Sequence, residues 1–370
     1  MNGNFLRRFV NRSLRRGAYT LYTAIERREH KLLYLFFELT RRCNMSCRHC
    51  GSDCGAEPAM REMDTPTWMR IVSYVRENFS PLPFIVLTGG EPTIRPDLEQ
   101  IAGCLHENGF RWGMVTNGFA LTRAKLDALI ERGLSSITLS LDGKRDAHNY
   151  LRNSAHAYDR AIAAADLIAS SSAGGHSIAV RDAVTCVFGG LHGNLGDLDD
   201  IGETLVARGF TSWRLFRIFP KGRAATDETL RLSADELRYL LAWIADRRPF
   251  FLDRGLSVSF SCEGYLPFAV DRAVRSEPFF CRSGITIASI LADGTISGCN
   301  NNSPDFYQGS VASADLRTVW DTGFQKLRNR QWLKTGECAT CRQWKYCQGN
   351  SLHLRGSDEV PGFCFFRGVQ

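Results

Sequence analysis

Glu38-Leu-Thr-Arg-Arg-Cys43-Asn-Met-Ser-Cys47-Arg-His-Cys50 follows at once on an apolar, β-forming run, Leu33–Leu39. A strand that delivers its C-terminus to three closely spaced thiols sets the reading of the whole chain. In parallel barrels the loops after strand C-termini build the active site. Thiolates at x3 and x2 spacing suit a 4Fe-4S cube, whose irons outnumber three protein ligands and leave one corner open for chemistry. A structural zinc site, the competing reading, wants four closed ligands. Cys54 stands close enough in sequence to be a fourth.

Outward from this loop, short β-forming runs alternate with helical segments. The expected strands are Leu33–Leu39, Phe84–Thr88, Trp112–Thr116, Ser136–Leu141, Ile178–Val187 and Trp213–Phe219. Thr65-Pro66 starts a helix with Met69, Val72, Val75 and Phe79 roughly on one face. Other helices end at Gly109, Gly133 and Gly209, where a left-handed residue is expected just before the next strand. Six such units argue for a parallel α/β sheet with outer helices, wound by right-handed crossovers into a partial (β/α)6 TIM-like barrel over residues 33–249. Ser170–Gly175 reads as a flexible loop. Ser233 and Glu236 form a capping box for a helix to about Arg247. Past it the rhythm is lost. Ile285–Leu291, Asp293-Gly294 and Thr295–Cys299 read as a hairpin, inside a small cysteine-rich domain at residues 250–370.

A chain of 370 residues fits that division into one large and one small domain. Its net charge of +7 is mildly basic and permits an acidic or phosphate-bearing partner without demanding one. Nothing in it reads as nucleic-acid binding. Thirteen cysteines, an odd number in tight clusters, do not form a disulfide framework. Arg7, Arg8, Arg12, Arg15 and Arg16 interrupt every early apolar run, so no secretory signal is read, and Leu32–Phe37 is too short to span a bilayer. The expected location is the cytoplasm, where clustered thiols bind metal or do redox work. Residues 1–32 read as a basic helical extension packed on the main domain; a second reading lays it on an anionic membrane surface as a peripheral contact.

Three further motifs fall at the ends of the next three expected strands: Gly89-Gly90-Glu91-Pro92, Thr116-Asn117-Gly118 and Ser140-Leu141-Asp142-Gly143. With the cysteine loop, all four meet at one barrel mouth in order, and over residues 33–220 the chain resembles the radical S-adenosylmethionine (SAM) enzymes. His49 departs from the pattern, standing where that family more often has an aromatic ring. The resemblance implies that the open iron chelates the amino and carboxylate groups of S-adenosylmethionine. It implies too that one electron from the reduced cluster breaks a C–S bond, giving a 5′-deoxyadenosyl radical that abstracts hydrogen from substrate. Gly89 and Gly90 then let backbone approach the methionine amine, Glu91 accepts from its ammonium, and Ser140 and Asp142 suit the ribose. Thr116 and Asn117 join the cofactor site, Arg152 touches cofactor or caps a helix, and Arg217 reaches a carboxylate or the substrate. Singly, the glycines also read as a turn and Ser140 and Asp142 as helix caps. His148, Cys104 and Cys186 read as packing. No catalytic acid or base is legible.

Cys281, Cys299, then Cys338-x2-Cys341-x5-Cys347-x3-Ser351, then Cys364 resemble the C-terminal SPASM domain of many such enzymes, with Ser351 in place of a seventh cysteine. By that resemblance Cys338, Cys341, Cys347 and Cys364 hold one complete auxiliary 4Fe-4S cluster. Cys281 and Cys299 belong to a second, damaged site that Cys262 could help complete. A zinc ribbon on Cys338 and Cys341 is the alternative.

The resemblance implies a peptide or small protein as substrate, oxidised or crosslinked, with a reductant such as flavodoxin or ferredoxin as partner. A weaker likeness points to a subgroup paired with small lipoproteins. Residues 1–32 are too short for the leader-binding domain of many peptide maturases, so substrate binds through a separate partner or at the mouth. Asn300 replaces the aspartate that acts as base in sulfatase-maturing relatives, and an amide takes no proton at neutral pH, which disfavours formylglycine formation. Oxidation of a small metabolite is the alternative. A non-catalytic electron carrier or sensor fits least, since it needs neither an open iron nor a Gly-Gly-Glu loop.

Overall fold

The structure is a computed structural model that describes residues 17–55, 60–171, 177–261, 264–355 and 364–369. The first half of the expected N-terminal helical segment, most of the Ser170–Gly175 loop and Cys262 lie outside the described residues.

Nine strands form one sheet in the order β7-β6-β5-β4-β3-β2-β1-β8-β9. The six expected strands are present as β1 (Tyr34–Thr40), β2 (Phe84–Gly89), β3 (Trp112–Thr116), β4 (Leu134–Ser140), β5 (Val180–Val187) and β6 (Ser212–Arg217), each parallel to the next. This is the parallel-dominated α/β barrel sheet expected from the rhythm. β7 (Ser257–Phe260) extends it beside β6. β8 (Ile287–Ile290) lies parallel to β1 and turns through Asp293-Gly294 into the antiparallel β9 (Ile296–Ser297). The hairpin expected in the cysteine-rich region therefore continues the barrel sheet.

The helices stand outside. α1 spans residues 17–29. α2 (Thr65–Asn78) starts behind Asp64, which accepts from Thr67 N. It buries Trp68, Ile71, Val72 and Val75, with the Trp68 ring 4.9 Å from that of Phe37. Met69, expected on this face, is 39% exposed, because the stripe is centred one residue earlier. α3 (Leu98–Glu107), α4 (Arg123–Glu131), α5 (Arg145–Arg152), α6 (Ala157–Ala169) and α7 (Leu198–Ala207) complete the crossovers. Gly109, Gly133 and Gly209 take φ of 75°, 83° and 65°, the left-handed conformation their positions require. α8 (Ala234–Leu252) carries the capping box and runs past Arg247 through Pro249.

α1 docks on the segment after α9 (Phe268–Val274). Tyr19 Oη donates to the Phe279 carbonyl at 2.5 Å, Arg282 donates to Tyr22 Oη at 3.0 Å, and Arg27 lies over the Phe280 ring. Its other face leaves Leu21 and Ile25 exposed. No helix of the described residues is long and apolar enough to cross a membrane.

Candidate active site

At the C-terminal ends of the parallel strands a cavity of about 290 Å³ opens, and Cys43, Cys47 and Cys50 all line it. Outward residues alternate with inward ones along this loop: Arg42, Asn44, Ser46 and Arg48 are exposed, Met45 and Cys47 buried. Backbone bonds hold it from three sides, with Cys43 N donating to Gly55 O (2.7 Å), Arg48 N to Leu151 O (2.9 Å) and Arg223 N to Cys50 O (3.0 Å).

Gly89 and Gly90 do their work against this loop. A Cβ on Gly89 would collide with the Thr40 carbonyl, and one on Gly90 with the Arg42 carbonyl. Their absence lets Gly90 N reach Thr40 O at 2.7 Å and Glu91 N reach Arg42 O at 2.9 Å. The close approach expected toward a ligand is thus made first to the cysteine loop's own backbone.

Glu91 is buried and accepts from Thr93 N (3.1 Å), Thr93 Oγ1 (2.6 Å) and Thr116 Oγ1 (2.7 Å) on Oε1, and from Asn117 N (2.7 Å) on Oε2. Burial pushes its carboxyl up, and the donors work against that shift. It ties the ends of β2 and β3 together, leaving Oε2 the less occupied oxygen. Asn117 reaches on to Asn44 Oδ1 (2.9 Å) and to Cys43 Sγ (3.9 Å). Ser140 and Thr116 line the cavity from the ends of β4 and β3.

Asp142, expected at the ribose, is fully buried and is not among the residues that line the cavity. Its Oδ2 takes Arg152 Nε at 2.6 Å and its Oδ1 takes Cys186 N at 2.7 Å. Burial pushes its carboxyl up, but Arg152, His49 and His148 outweigh burial and leave it below the usual range. Both oxygens are committed to the protein. Arg152 lines the cavity as well, and its Nη1 lies 3.8 Å from Cys47 Sγ. Arg217 lines the cavity and stacks its guanidinium 4.4 Å from the centre of the Phe365 ring, joining β6 to the C-terminal region.

Sequence reasoning missed several lining residues, three of them polar groups at the cysteine loop or facing it. Cys186, read as packing, faces the cavity from β5. His49 also lines it, with Nδ1 buried and without a hydrogen-bond partner among the described residues. Arg223 clamps the loop, donating from Nε to Cys47 O (2.7 Å) and from Nη1 to Cys54 O (2.8 Å). The Pro-Lys-Gly-Arg run after β6 was the available signal: Gly222 sits where a Cβ would strike the Cys50 carbonyl. His148 is buried and accepts from Asp142 N through Nδ1 (3.0 Å). Cys104 is buried in α3.

Each loop thiol has an N–H donor of its own: Asn117 Nδ2 for Cys43, Arg152 Nη1 for Cys47 at 3.8 Å and Cys54 N for Cys50 at 3.4 Å. Such donors suit sulfurs that carry negative charge and ligate a cluster. The donor set therefore fits a cube held at three corners. Cys54 stands beside Cys50 and also lines the cavity, its Sγ donating to the Ser52 carbonyl at 4.0 Å.

In the C-terminal region the charges of Cys338 and Cys364 are felt at Cys347, whose thiol burial pushes up to about 12. Arg355 Nη2 lies 3.9 Å from Cys338 Sγ. Cys341 stands one turn from Cys338, its N donating to the Cys338 carbonyl at 3.3 Å. Cys281 and Cys299 neighbour one another separately, and burial pushes the Cys299 thiol up to about 11. Ser351 is fully buried.

Residues 37–205 match the radical SAM superfamily, and residues 281–342 match the iron-sulfur cluster-binding domain called SPASM. The chain is thus a radical SAM protein with a C-terminal SPASM domain, and these domains imply 4Fe-4S clusters and S-adenosylmethionine as its cofactors. An AdoMet-dependent heme synthase of Nitratidesulfovibrio vulgaris is 24% identical over 85% of this chain and 85% of its own. A PqqA peptide cyclase of Ruegeria pomeroyi is 40% identical over 29% of this chain and 28% of its own. Among solved structures, Streptococcus suis SuiB bound to precursor peptide SuiA superposes with a TM-score of 0.67 at 16% identity, covering 94% of this chain and 79% of that one.

Proposed function

We propose that this enzyme abstracts hydrogen from a peptide or protein side chain and so oxidises or crosslinks it. When bound, the cluster and S-adenosylmethionine supply a one-electron cleavage that yields a hydrogen-abstracting radical. Cys43, Cys47 and Cys50 would hold the cluster; Gly89, Gly90, Glu91, Thr116, Asn117 and Ser140 would form the cofactor wall. Arg152 stays with Cys47.

The observation that carries the peptide reading is the size of the cavity. About 290 Å³ lies at the low end of small-molecule pockets. The cluster and S-adenosylmethionine together would claim that volume, so substrate would meet them at the rim, where Arg217, Phe219 and Asn301 stand. One side chain of an extended peptide suits such a rim. The fold shared with peptide-bound SuiB supports the same reading. Lys221, whose Nζ donates to the carbonyls of Asn301 (2.5 Å) and Asn302 (2.9 Å), fixes this rim. Among the described residues that line the cavity Glu91 is the only carboxylate, and it is taken up by Thr93, Thr116 and Asn117.

A small-metabolite reading, with a tetrapyrrole as the class, is favoured by a different observation: the heme synthase likeness spans most of both chains, whereas the peptide cyclase likeness spans less than a third. Deuterium tracing separates the two. Reduced enzyme is incubated with deuterated peptides encoded beside it, or with deuterated iron-porphyrin precursors, and 5′-deoxyadenosine is weighed by mass spectrometry. Label arriving only from a peptide supports the first reading; label arriving only from the porphyrin overturns it.

A further inference from the structure

The cysteine loop presents a basic outer face that the substrate chemistry does not use. From Arg41 to Ser52 it carries three arginines, one histidine and no acid. Arg42 and Arg48 point outward beside Cys43 and Cys47, and both are exposed. Arg48 lies 4.5 Å over the Tyr150 ring and donates to the Tyr150 carbonyl at 3.1 Å, so its charge is held in place rather than trailing in solvent.

A third arginine arrives from another element. Ala157, in the first turn of α6, packs on Met45 and Cys47 in one cluster with Phe119. One turn on, exposed Arg160 lies 5.7 Å over the Phe119 ring. Ser46 accepts from Asn153 Nδ2 at 3.1 Å, which closes the surface between loop and helix. The nearby acids are neutralised: Asp159 pairs with Arg145 at 2.5 Å and Asp53 with Arg223 at 2.7 Å. Among the described residues none of Arg42, Arg48 and Arg160 has an ion pair. Three guanidinium groups without an ion pair among the described residues therefore stand on the cysteine loop and on the helix turn that packs against Met45 and Cys47.

We infer that this face, Arg42, Arg48 and Arg160, is the docking surface for an acidic one-electron donor protein of the flavodoxin class. The inference rests on the reading that the loop holds a reducible cluster, and it adds where the electron enters. Charge complementarity selects the occupant: a patch of one sign raises the encounter rate with a partner of opposite sign and loses that advantage in salt. The step moves one electron from the reduced flavin to the oxidised cluster and makes no covalent bond.

The test uses the reconstituted full-length enzyme, an acidic flavodoxin, and dithionite as a small reductant that needs no docking surface. Cluster reduction is followed by bleaching of its visible absorption, and flavodoxin binding by calorimetry across a salt series. Arg42→Glu/Arg48→Glu is expected to lower the flavodoxin-driven rate and weaken binding about tenfold or more at low salt. The dithionite rate should not change. Arg160→Glu, on a separate element, should act in the same direction. Arg76→Glu/Arg111→Glu, at exposed positions away from the loop, should alter neither rate. Equal effects of the two paired variants, or a wild-type flavodoxin rate indifferent to salt, would overturn the proposal. A wild-type protein that dithionite itself cannot reduce would sink the cluster reading, and the docking surface with it.

Discussion

Arg152 bridges Asp142 and Cys47: its Nε sits 2.6 Å from one carboxylate oxygen and its Nη1 3.8 Å from the cysteine sulfur. Both members of the ion pair are buried. Removing the carboxylate leaves a guanidinium uncompensated in the interior, a loss of about 3–5 kcal/mol for pairs of this kind. Asp142→Asn should therefore melt several degrees lower and, after reconstitution, hold less iron than wild type. Unchanged iron content at an unchanged melting temperature would refute the bridge.

Gly90→Ala tests the seam between the cysteine loop and β2. The new Cβ meets a backbone carbonyl, which has no rotamer to escape into. Overpacking typically costs about 1–3 kcal/mol, and here the displaced atoms carry Cys43. Gly103→Ala is the control, since its nearest neighbour is the Arg132 side chain at 3.9 Å and the site is helical. The expected outcome is loss of both stability and cluster for Gly90→Ala, with equal or greater stability for Gly103→Ala.

Cys54 and Cys43 should part company on iron analysis. Cys43→Ala loses one cluster, about four irons, and no longer cleaves S-adenosylmethionine under dithionite. Cys54→Ala keeps both. Cys338→Ala loses a cluster of its own while the spectroscopic response to S-adenosylmethionine persists. Parallel loss in Cys54→Ala would make Cys54 a ligand and close the open corner.

Buried histidines predict an acid limb. Burial pushes His148 and His353 down to about 3 and His49 to about 4. Unfolded, each titrates near 6.5, so between those values the unfolded chain binds more protons than the native one. Stability is full above about pH 6.5 and falls as pH drops toward 3. His353→Phe, which keeps a ring against Phe219, should flatten that limb by up to about 1.4 kcal/mol per pH unit. Urea melts at a series of pH values measure it; an unaltered slope would contradict the assignment.

The barrel was legible because its strands are apolar runs closed by glycine and its helices carry caps, all local signals. β1, β2 and β3 begin within one residue of expectation. What local pattern does not carry is pairing: nothing in Ile285–Leu291 announces β1 as its neighbour. The site divides the same way. The cysteine spacing and the Gly89-Gly90 turn are local. Asp142 lies two residues past the end of β4, where the strand alternation that would set it beside Ser140 no longer holds, and its place is fixed instead by Arg152 and the Cys186 amide. Arg223, Cys186 and His49 enter through tertiary placement.

β8 lies against β1 in register, Tyr34 to Ile287 through Phe37 to Ile290, and Ala292 N donates to Glu38 Oε2 at 3.2 Å. The strand that feeds the cysteine loop is therefore flanked on one side by a strand from the far end of the chain. Cutting the chain ahead of residue 285 would strip that flank and bare a row of unanswered amides and carbonyls, the kind of border along which proteins aggregate. The two iron-binding regions are planks of one deck, and neither can be lifted out without splintering the other.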